Sequence, residues 1–190
     1  TLSREEIGRR VTELLELVGI DHVQERCKWF PHQFSGGMRQ RSVLAVALAA
    51  DPKILIADEP TTALDVTIQA QILQLLKEIQ KQLHMAMIFV SHNLGVVADI
   101  ADRVAIMYAG KIVEIGTKDE IFSDPRHPYT RGLLQAHPSM ARGKCSLKTI
   151  PGMPPVLLNP PRGDAFAARN PYALPIDFEE QPPMFPVSDR

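Results

Sequence analysis

The sequence has few cysteines, no long apolar run and almost no net charge. Its two cysteines, Cys27 and Cys145, lie far apart and have neither metal-ligand nor redox-pair spacing. Isolated thiols of this kind are typical of a reducing cytosol. No apolar run approaches the roughly 18 residues that span a bilayer, and the first residues lack the pattern of a signal peptide. A net charge of −1 over 190 residues argues against a general binder of nucleic acids or anionic membranes.

Helices and strands are predicted to alternate over the first 124 residues. Apolar residues recur at three- and four-residue steps in some segments and form short continuous runs in others, which predict helices and buried strands respectively. The predicted helices are 4–19, 35–50, 66–84 and 94–100, and the predicted strands are 54–57 and 87–90, followed by a hairpin of 104–107 and 112–115. The stretch 21–33 is predicted to be irregular. This alternation predicts an α/β fold with a mostly parallel sheet and flanking helices.

The composition changes near residue 124. Thirteen of the 16 prolines lie from Pro125 onward, and they leave room for one short helix, at 127–136. Aromatic residues are interspersed among these prolines, so we expect an appendage packed on a surface rather than a disordered tail. The aromatic residues include Phe166, Tyr172, Phe178 and Phe185.

The strand predicted at 54–57 ends on two carboxylates, Asp58 and Glu59. Ligands of parallel sheets bind at the carboxyl ends of the strands. One acid at that edge can hold Mg²⁺, while the other orients or deprotonates the water that attacks a phosphate. Taken alone, an acidic turn after a strand explains the pair equally well.

Three further features have both a functional and a plainer explanation. Ser35, Gly36 and Gly37 begin a predicted helix and can present N–H groups to a phosphate, but a serine cap with flexible glycines also explains them. His92 follows the strand at 87–90 and can hydrogen-bond a terminal phosphate, although a lone histidine there is more often an exposed turn residue. Taken alone, the run Thr61-Thr62-Ala63-Leu64-Asp65 is an N-cap cluster for the helix that begins at residue 66, because threonine and aspartate are preferred caps.

In this order, the features resemble the succession of motifs in the ATP-binding-cassette (ABC) ATPases, whose core is a P-loop NTPase-type α/β fold. The resemblance implies that Asp58 serves Mg²⁺, through water, that Glu59 is the general base and that His92 is the switch histidine. It implies ATP and Mg²⁺ as cofactors and a dimer of cassettes with two nucleotides between them. The nucleotide-binding residues that it implies are Phe34, Ser35, Gly36, Gly37, Met38 and Asp65.

Two segments narrow the resemblance to the oligopeptide and dipeptide importers. The run from Asp58 to Ile72 and the motif from His127 to Thr130, together with the Pro-rich tail, are similar to theirs. The family implies an ATP-hydrolysing subunit on the cytoplasmic face of the membrane, peripheral to it and docked on two permeases. It also implies a second cassette subunit and, indirectly, an extracellular peptide-binding protein, with no nucleic-acid partner.

The sequence departs from the family pattern at its start. It has no Gly-x-x-x-x-Gly-Lys-Ser/Thr phosphate loop, because Gly110-Lys111 and Gly143-Lys144 lack the preceding glycine and the following hydroxyl. The Gln loop and the adenine-stacking aromatic residue are missing too. We therefore expect the C-terminal portion of a subunit, inactive alone, in which 1–50 ends the helical subdomain, 51–124 is the catalytic core and 125–190 is an importer-type extension.

The tail departs from the family at its cysteines. Many relatives hold an iron–sulfur cluster there through thiolates. Asp164, Asn170 and Asp177 stand at the corresponding positions here, so no iron–sulfur cluster is expected. Local hydrogen-bonded turns are favoured over a site for a hard cation at these residues.

Two alternative functions belong to other classes of protein. A DNA-repair or chromosome-organising ATPase has the same motor motifs, but it needs long coiled-coil heptads, which are absent, and usually a basic path for DNA. A catalytically inert interaction fragment would dock on partners without turnover, and a turnover assay with ATP separates it from an enzyme.

Overall fold

A computed structural model describes residues 3–137 and 149–187, so Cys145 and the pair Gly143-Lys144 lie outside the described residues. The chain divides into two compact units, Thr1–His92 and Asn93–Arg190. The helices and strands of the first unit are α1 (Arg4–Leu17), α2 (Val23–Arg26), α3 (Gly36–Leu48), β1 (Ile54–Asp58), α4 (Val66–Leu83) and β2 (Ala86–Val90). Those of the second are α5 (Leu94–Ile100), β3 (Arg103–Tyr108), β4 (Lys111–Thr117), α6 (Lys118–Ser123) and α7 (Pro128–Ala136). None of the helices within these described stretches is long and apolar enough to cross a bilayer.

The first helix has a capping residue at each end. The Ser3 hydroxyl accepts a hydrogen bond from the Glu6 amide at 3.2 Å, and the Glu6 carboxylate accepts one from the Ser3 amide at 2.7 Å. Gly19 follows the helix with φ 71°, in the left-handed region that favours glycine. Arg41, on α3, donates to the Val18 carbonyl at 2.7 Å. The end of α1 is therefore tied to α3.

Replacing Gly19 by alanine is expected to destabilise the chain by about 1–2 kcal/mol, the usual cost of left-handed backbone for an L-residue. A Cβ atom at this position would also lie 2.6 Å from Nη1 of Arg41 and disturb its hydrogen bond. The matched control is Gly8→Ala within α1, where a Cβ atom meets nothing within 4 Å. Alanine should stabilise that site by about 0.5–1 kcal/mol. Urea unfolding measures both variants, and equal stabilities would contradict this explanation of Gly19.

Two short helical turns lie in the stretch predicted to be irregular. One is α2, and the other is the 3₁₀ turn Pro31–Gln33. The prediction is wrong for these residues because a single turn is too short to show an apolar period.

The two strands of the first unit pair in parallel, with Asp58 opposite Val90. They are connected by α4, whose N-cap is Asp65 and whose C-cap, His84, has left-handed backbone. Ile72 and Ile79 of α4 are almost completely buried, as the predicted apolar stripe requires. The carboxyl ends of both strands therefore meet at one edge.

The prediction of fully buried strands is wrong. In β1, Leu55 and Ala57 are buried, whereas Ile54 and Ile56 are 57% and 66% exposed. In β2, Ile88 is 53% exposed. Successive side chains of a strand point to opposite faces, so one face of the two-stranded sheet is packed and the other is exposed.

The second unit contains the predicted hairpin. β3 and β4 pair antiparallel, with a bulge at Ile106/Met107, and Ala109 and Gly110 turn the chain in left-handed backbone. The helix α6 was not predicted, although its capping box of Thr117 and Glu120 is visible in the sequence. Its residue Ile121 is 1% exposed and belongs to a core with Val104 and Ile106.

The tail packs on the hairpin through Phe166, which is 2% exposed. Its ring centroid lies 5.3 Å from that of Tyr108 and 5.4 Å from that of Tyr129. Arg169 donates to the Tyr108 hydroxyl at 3.2 Å and to the backbone carbonyl of Pro151 at 2.8 Å. The predicted packing of the tail on a surface is thus confirmed through Phe166, whereas three other aromatic residues of the tail are exposed. Those left exposed are Tyr172, Phe178 and Phe185.

The cap of α7 is a titratable side chain. His127 Nδ1 accepts a hydrogen bond from the Tyr129 amide at 3.1 Å. Burial lowers the pKa of His127, against a partial opposing effect of Asp164 and Glu114. Folding therefore favours the neutral imidazole. The stability that this gives is fully present above the unfolded pKa of about 6.5, and it is lost as the pH falls through the lower pKa of the folded chain.

We expect acidification from about pH 7.5 to about pH 5.5 to remove about 1 kcal/mol of stability at His127, the usual worth of an N-cap. His127→Asn keeps a capping oxygen that does not titrate, so its stability should fall less over the same range. Thermal unfolding at the two pH values measures the difference. An identical fall in both proteins would show that His127 is not the group responsible.

Candidate functional site

Glu59 turns the chain sharply at the end of β1. Its φ is 47°, in the left-handed region that non-glycine residues rarely adopt, at a cost of about 1–3 kcal/mol. Its amide still donates to the Val90 carbonyl of β2 at 3.0 Å. The backbone thus remains tied to the neighbouring strand while the side chain is redirected at the sheet edge.

The Glu59 carboxylate is held by His92, which follows β2. Oε1 of Glu59 lies 2.7 Å from His92 Nδ1 and accepts a hydrogen bond from the His92 amide at 3.1 Å. An ionised carboxylate can only accept hydrogen bonds, so Nδ1 must carry the proton. The His92 side chain is 80% exposed and that of Glu59 35%. The structure thus brings the two predicted catalytic side chains into direct contact.

Sequence reasoning missed a third member of this cluster, Thr62. Its hydroxyl donates to Glu59 Oε2 at 2.7 Å. The hydrogen bonds from His92 and then from Thr62 lower the pKa of Glu59. The available signal was a hydroxyl residue three positions after an acid in a turn.

Asp58, predicted to serve Mg²⁺, is the last residue of β1. It lies on the exposed face of the strand, the face of Ile54 and Ile56. No cluster of three or more acidic, histidine or cysteine side chains suited to a metal ion occurs within residues 3–137 and 149–187. The described acids alone therefore do not form a complete metal cage.

The predicted nucleotide-binding segment starts α3. The Ser35 hydroxyl accepts a hydrogen bond from the Met38 amide at 3.3 Å, which confirms the N-cap. Phe34 is partly buried, with its ring edge-to-face to Trp29 at 5.9 Å. No hydrogen bond between described residues joins Ser35 or Gly36 to Glu59 or His92.

The two glycines of this segment lie against the start of α4. A Cβ atom on Gly37 would lie 2.9 Å from the Ile68 side chain, and one on Gly36 would lie 3.7 Å from Leu64. Asp65 accepts a hydrogen bond from the Ile68 amide at 2.9 Å and caps α4. The capping interpretation of Asp65 is confirmed, and its nucleotide role stays a prediction.

The tail positions that resemble cysteine sites in the family form local turns. Asp164 accepts from the Phe166 amide at 3.0 Å, Asn170 from the Tyr172 amide at 3.0 Å and Asp177 from the Leu174 amide at 2.7 Å. The prediction of local hydrogen-bonded turns is confirmed. The expected absence of an iron–sulfur cluster stays a prediction.

Two family models match the chain. The model described as ABC transporter matches residues 1–62. The model described as oligopeptide/dipeptide transporter, C-terminal region, matches residues 113–176.

Similar proteins carry peptide-transport names. The chain is 64% identical, over 99% of its length, to the oligopeptide transport ATP-binding protein OppD of Bacillus subtilis. It is 58% identical, over 98% of its length, to the dipeptide transport ATP-binding protein DppD of Lactococcus lactis. It covers 53% and 54% of these proteins, so the chain spans about half the length of the curated relatives it matches. These names give the DNA-repair alternative no support.

A solved structure supports the fold. The chain is similar to cbiO1 from Clostridium perfringens, described as part of the ABC transporter complex cbiONQ, with a TM-score of 0.59 and 34% sequence identity. The similarity covers 65% of this chain and 48% of that chain. It confirms the predicted α/β fold of the P-loop NTPase type. Together, the family models, the relatives and this fold show that the chain is similar to the ABC ATPases of the oligopeptide and dipeptide transporter family.

Proposed function

We propose that the chain is part of the ATP-hydrolysing subunit of an importer for oligopeptides or dipeptides. The observation that carries the proposal is the contact between Glu59 and His92 at the edge where β1 and β2 end. Its proposed partners are a second cassette, identical or paralogous, two membrane permeases and, indirectly, an extracellular peptide-binding protein. The subunit lies on the cytoplasmic face of the membrane. The names of the relatives support a peptide cargo.

Glu59 is the proposed general base. The hydrogen bonds from His92 and Thr62 lower its pKa, so it is ionised at neutral pH, the form in which a carboxylate can accept a proton from water. Its 35% exposed side chain leaves room for a water molecule beside the carboxylate. The left-handed backbone at Glu59 holds this base at the sheet edge.

His92 is the proposed contact to the terminal phosphate. Its Nδ1 donates to Glu59, so only Nε2 remains for a phosphate oxygen. Nε2 can donate a hydrogen bond only when the imidazole carries both protons. In this arrangement, His92 connects the phosphate with the base.

Asp58 is suited to hold Mg²⁺ together with the phosphates of ATP, but not on its own. Mg²⁺ is usually bound by one or two carboxylates together with substrate phosphates rather than by a protein cage, and the exposed Asp58 suits that arrangement. When bound, Mg–ATP supplies the phosphoryl group and neutralises the charge that develops on it. Asp58 would hold the ion, and Glu59 would act on the attacking water.

The start of α3 is proposed to cap the nucleotide of the second subunit. Ser35 and Gly36 are exposed, and a helix of 13 residues presents N–H groups and a positive dipole end to an anion. Phe34, Gly37 and Met38 complete this segment. Asp65, which caps the neighbouring helix, is proposed to couple the two nucleotide sites.

The division of labour along the chain is part of the proposal. Residues 1–50 end a helical subdomain that carries the segment at 34–38. Residues 51–124 hold the catalytic groups, and residues 125–190 form the extension typical of the peptide importers.

The proposal is tested with a transporter, reconstituted in vesicles, that contains this chain joined to a phosphate-binding loop. We expect ATP-dependent uptake of a labelled oligopeptide or dipeptide, and no uptake with a non-hydrolysable ATP analogue. Turnover without peptide uptake would remove the cargo assignment. Neither turnover nor uptake in a correctly assembled transporter would favour the inert interaction module.

A further inference from the structure

The two oxygens of Glu59 have different surroundings. Oε1 accepts two hydrogen bonds from His92, one from its amide at 3.1 Å and one from Nδ1 at 2.7 Å. Oε2 accepts one, from the Thr62 hydroxyl at 2.7 Å. Each carboxylate oxygen has two lone pairs. With these hydrogen bonds between described residues, Oε1 is saturated and Oε2 keeps one lone pair.

The turn after β1 aims the Thr62 hydroxyl at Oε2. The Thr62 amide donates to the Glu59 carbonyl at 3.1 Å, which places residue 62 over the side chain of residue 59. Its neighbour Thr61 is 9% exposed, and Ala63 continues the turn with φ 62°. The backbone hydrogen bond between residues 62 and 59 thus holds Thr62 beside Glu59.

We propose that Thr62 is a positioning residue for hydrolysis, and that its hydroxyl orients Glu59 so that Oε2 receives the proton of the attacking water. This inference rests on the proposed function. The water oxygen forms a bond to the terminal phosphorus, and the bond from phosphorus to the bridging oxygen breaks. The bridging oxygen leaves with the electron pair on ADP, and the water proton goes to the free lone pair of Oε2. Thr62 keeps its own proton throughout.

The test compares Thr62→Val, which keeps the shape but removes the hydroxyl, with Thr62→Ser, which keeps the hydroxyl. Hydrogen bonds to charged groups predict a fall in kcat of about ten- to a hundredfold for Thr62→Val, with KM for ATP little changed. Thr62→Ser should restore most of the rate. The matched control is Thr67→Val, at an exposed position in the first turn of the neighbouring helix α4.

A second readout needs neither nucleotide nor activity. In the chain itself, three-bond couplings measured by NMR report the side-chain rotamers of Glu59. The wild type, Thr62→Ser and Thr67→Val should show one dominant rotamer, and Thr62→Val should show averaging. A single unchanged rotamer in Thr62→Val would overturn the inference, as would an unchanged kcat.

The two proposals fail differently. If Glu59→Gln abolishes turnover but Thr62→Val does not slow it, the positioning role of Thr62 is wrong and the proposed function stands. If Glu59→Gln leaves turnover intact, the assigned base is wrong, and the positioning role of Thr62 falls with it.

Discussion

Replacing Glu59 by glutamine is expected to lower ATP turnover by about 10²- to 10⁴-fold, the usual contribution of a general base. The amide cannot take the proton of the attacking water, but it retains an oxygen that accepts hydrogen bonds from His92 or Thr62. ATP binding should therefore survive, and ATP should remain trapped. The measurement combines phosphate release with equilibrium binding of ATP, in a cassette that joins this chain to a phosphate-binding loop.

The matched control for this change is Glu16→Gln. Glu16 is exposed on α1, within a helix that carries none of the proposed catalytic groups. Its turnover should equal that of the wild type. Unchanged turnover in Glu59→Gln would remove Glu59 from its assigned role, and loss of ATP binding would mean that it holds the nucleotide instead.

Replacing Phe166 by alanine is expected to destabilise the second unit by about 3–5 kcal/mol, the usual cost of removing a buried aromatic ring. Phe166 is 2% exposed and packs against Tyr108, Tyr129 and His127. Its loss leaves a cavity between the tail and the hairpin. Chemical unfolding, followed by the near-ultraviolet signal of the tyrosines, measures the change.

The control for Phe166 lies in the same tail. Phe178 is 55% exposed, so Phe178→Ala removes the same ring from a site that is not closed. It should cost much less than Phe166→Ala. Equal losses in the two variants would contradict the idea that the tail is anchored through Phe166.

Local patterns along the chain predict most of the elements. The helix at 94–100 is found at the predicted residues because its cap and apolar period are local features. The hairpin follows from two apolar runs around Ala109-Gly110. The meeting of Glu59 and His92 follows from parallel pairing, which brings the carboxyl ends of β1 and β2 to one edge.

Features that depend on tertiary contacts could not be predicted from the sequence. Ile56 and Ile88 belong to apolar runs typical of buried strands, but their exposure depends on which elements cover the sheet. The left-handed backbone at Glu59 cannot be predicted from the residue type, because glycine is the residue that usually adopts this conformation. Thr62 was not assigned to the site because the closure of the turn decides where its hydroxyl points.

The central claim is that Glu59 and His92 face a triphosphate that is capped by the start of α3 from a second molecule. The most direct measurement is the mass in solution and the nucleotide content of the Glu59→Gln cassette, with and without Mg–ATP. We expect monomers without nucleotide and a dimer with two bound ATP molecules in the presence of Mg–ATP. A monomer that binds ATP fully and never dimerises would contradict this arrangement.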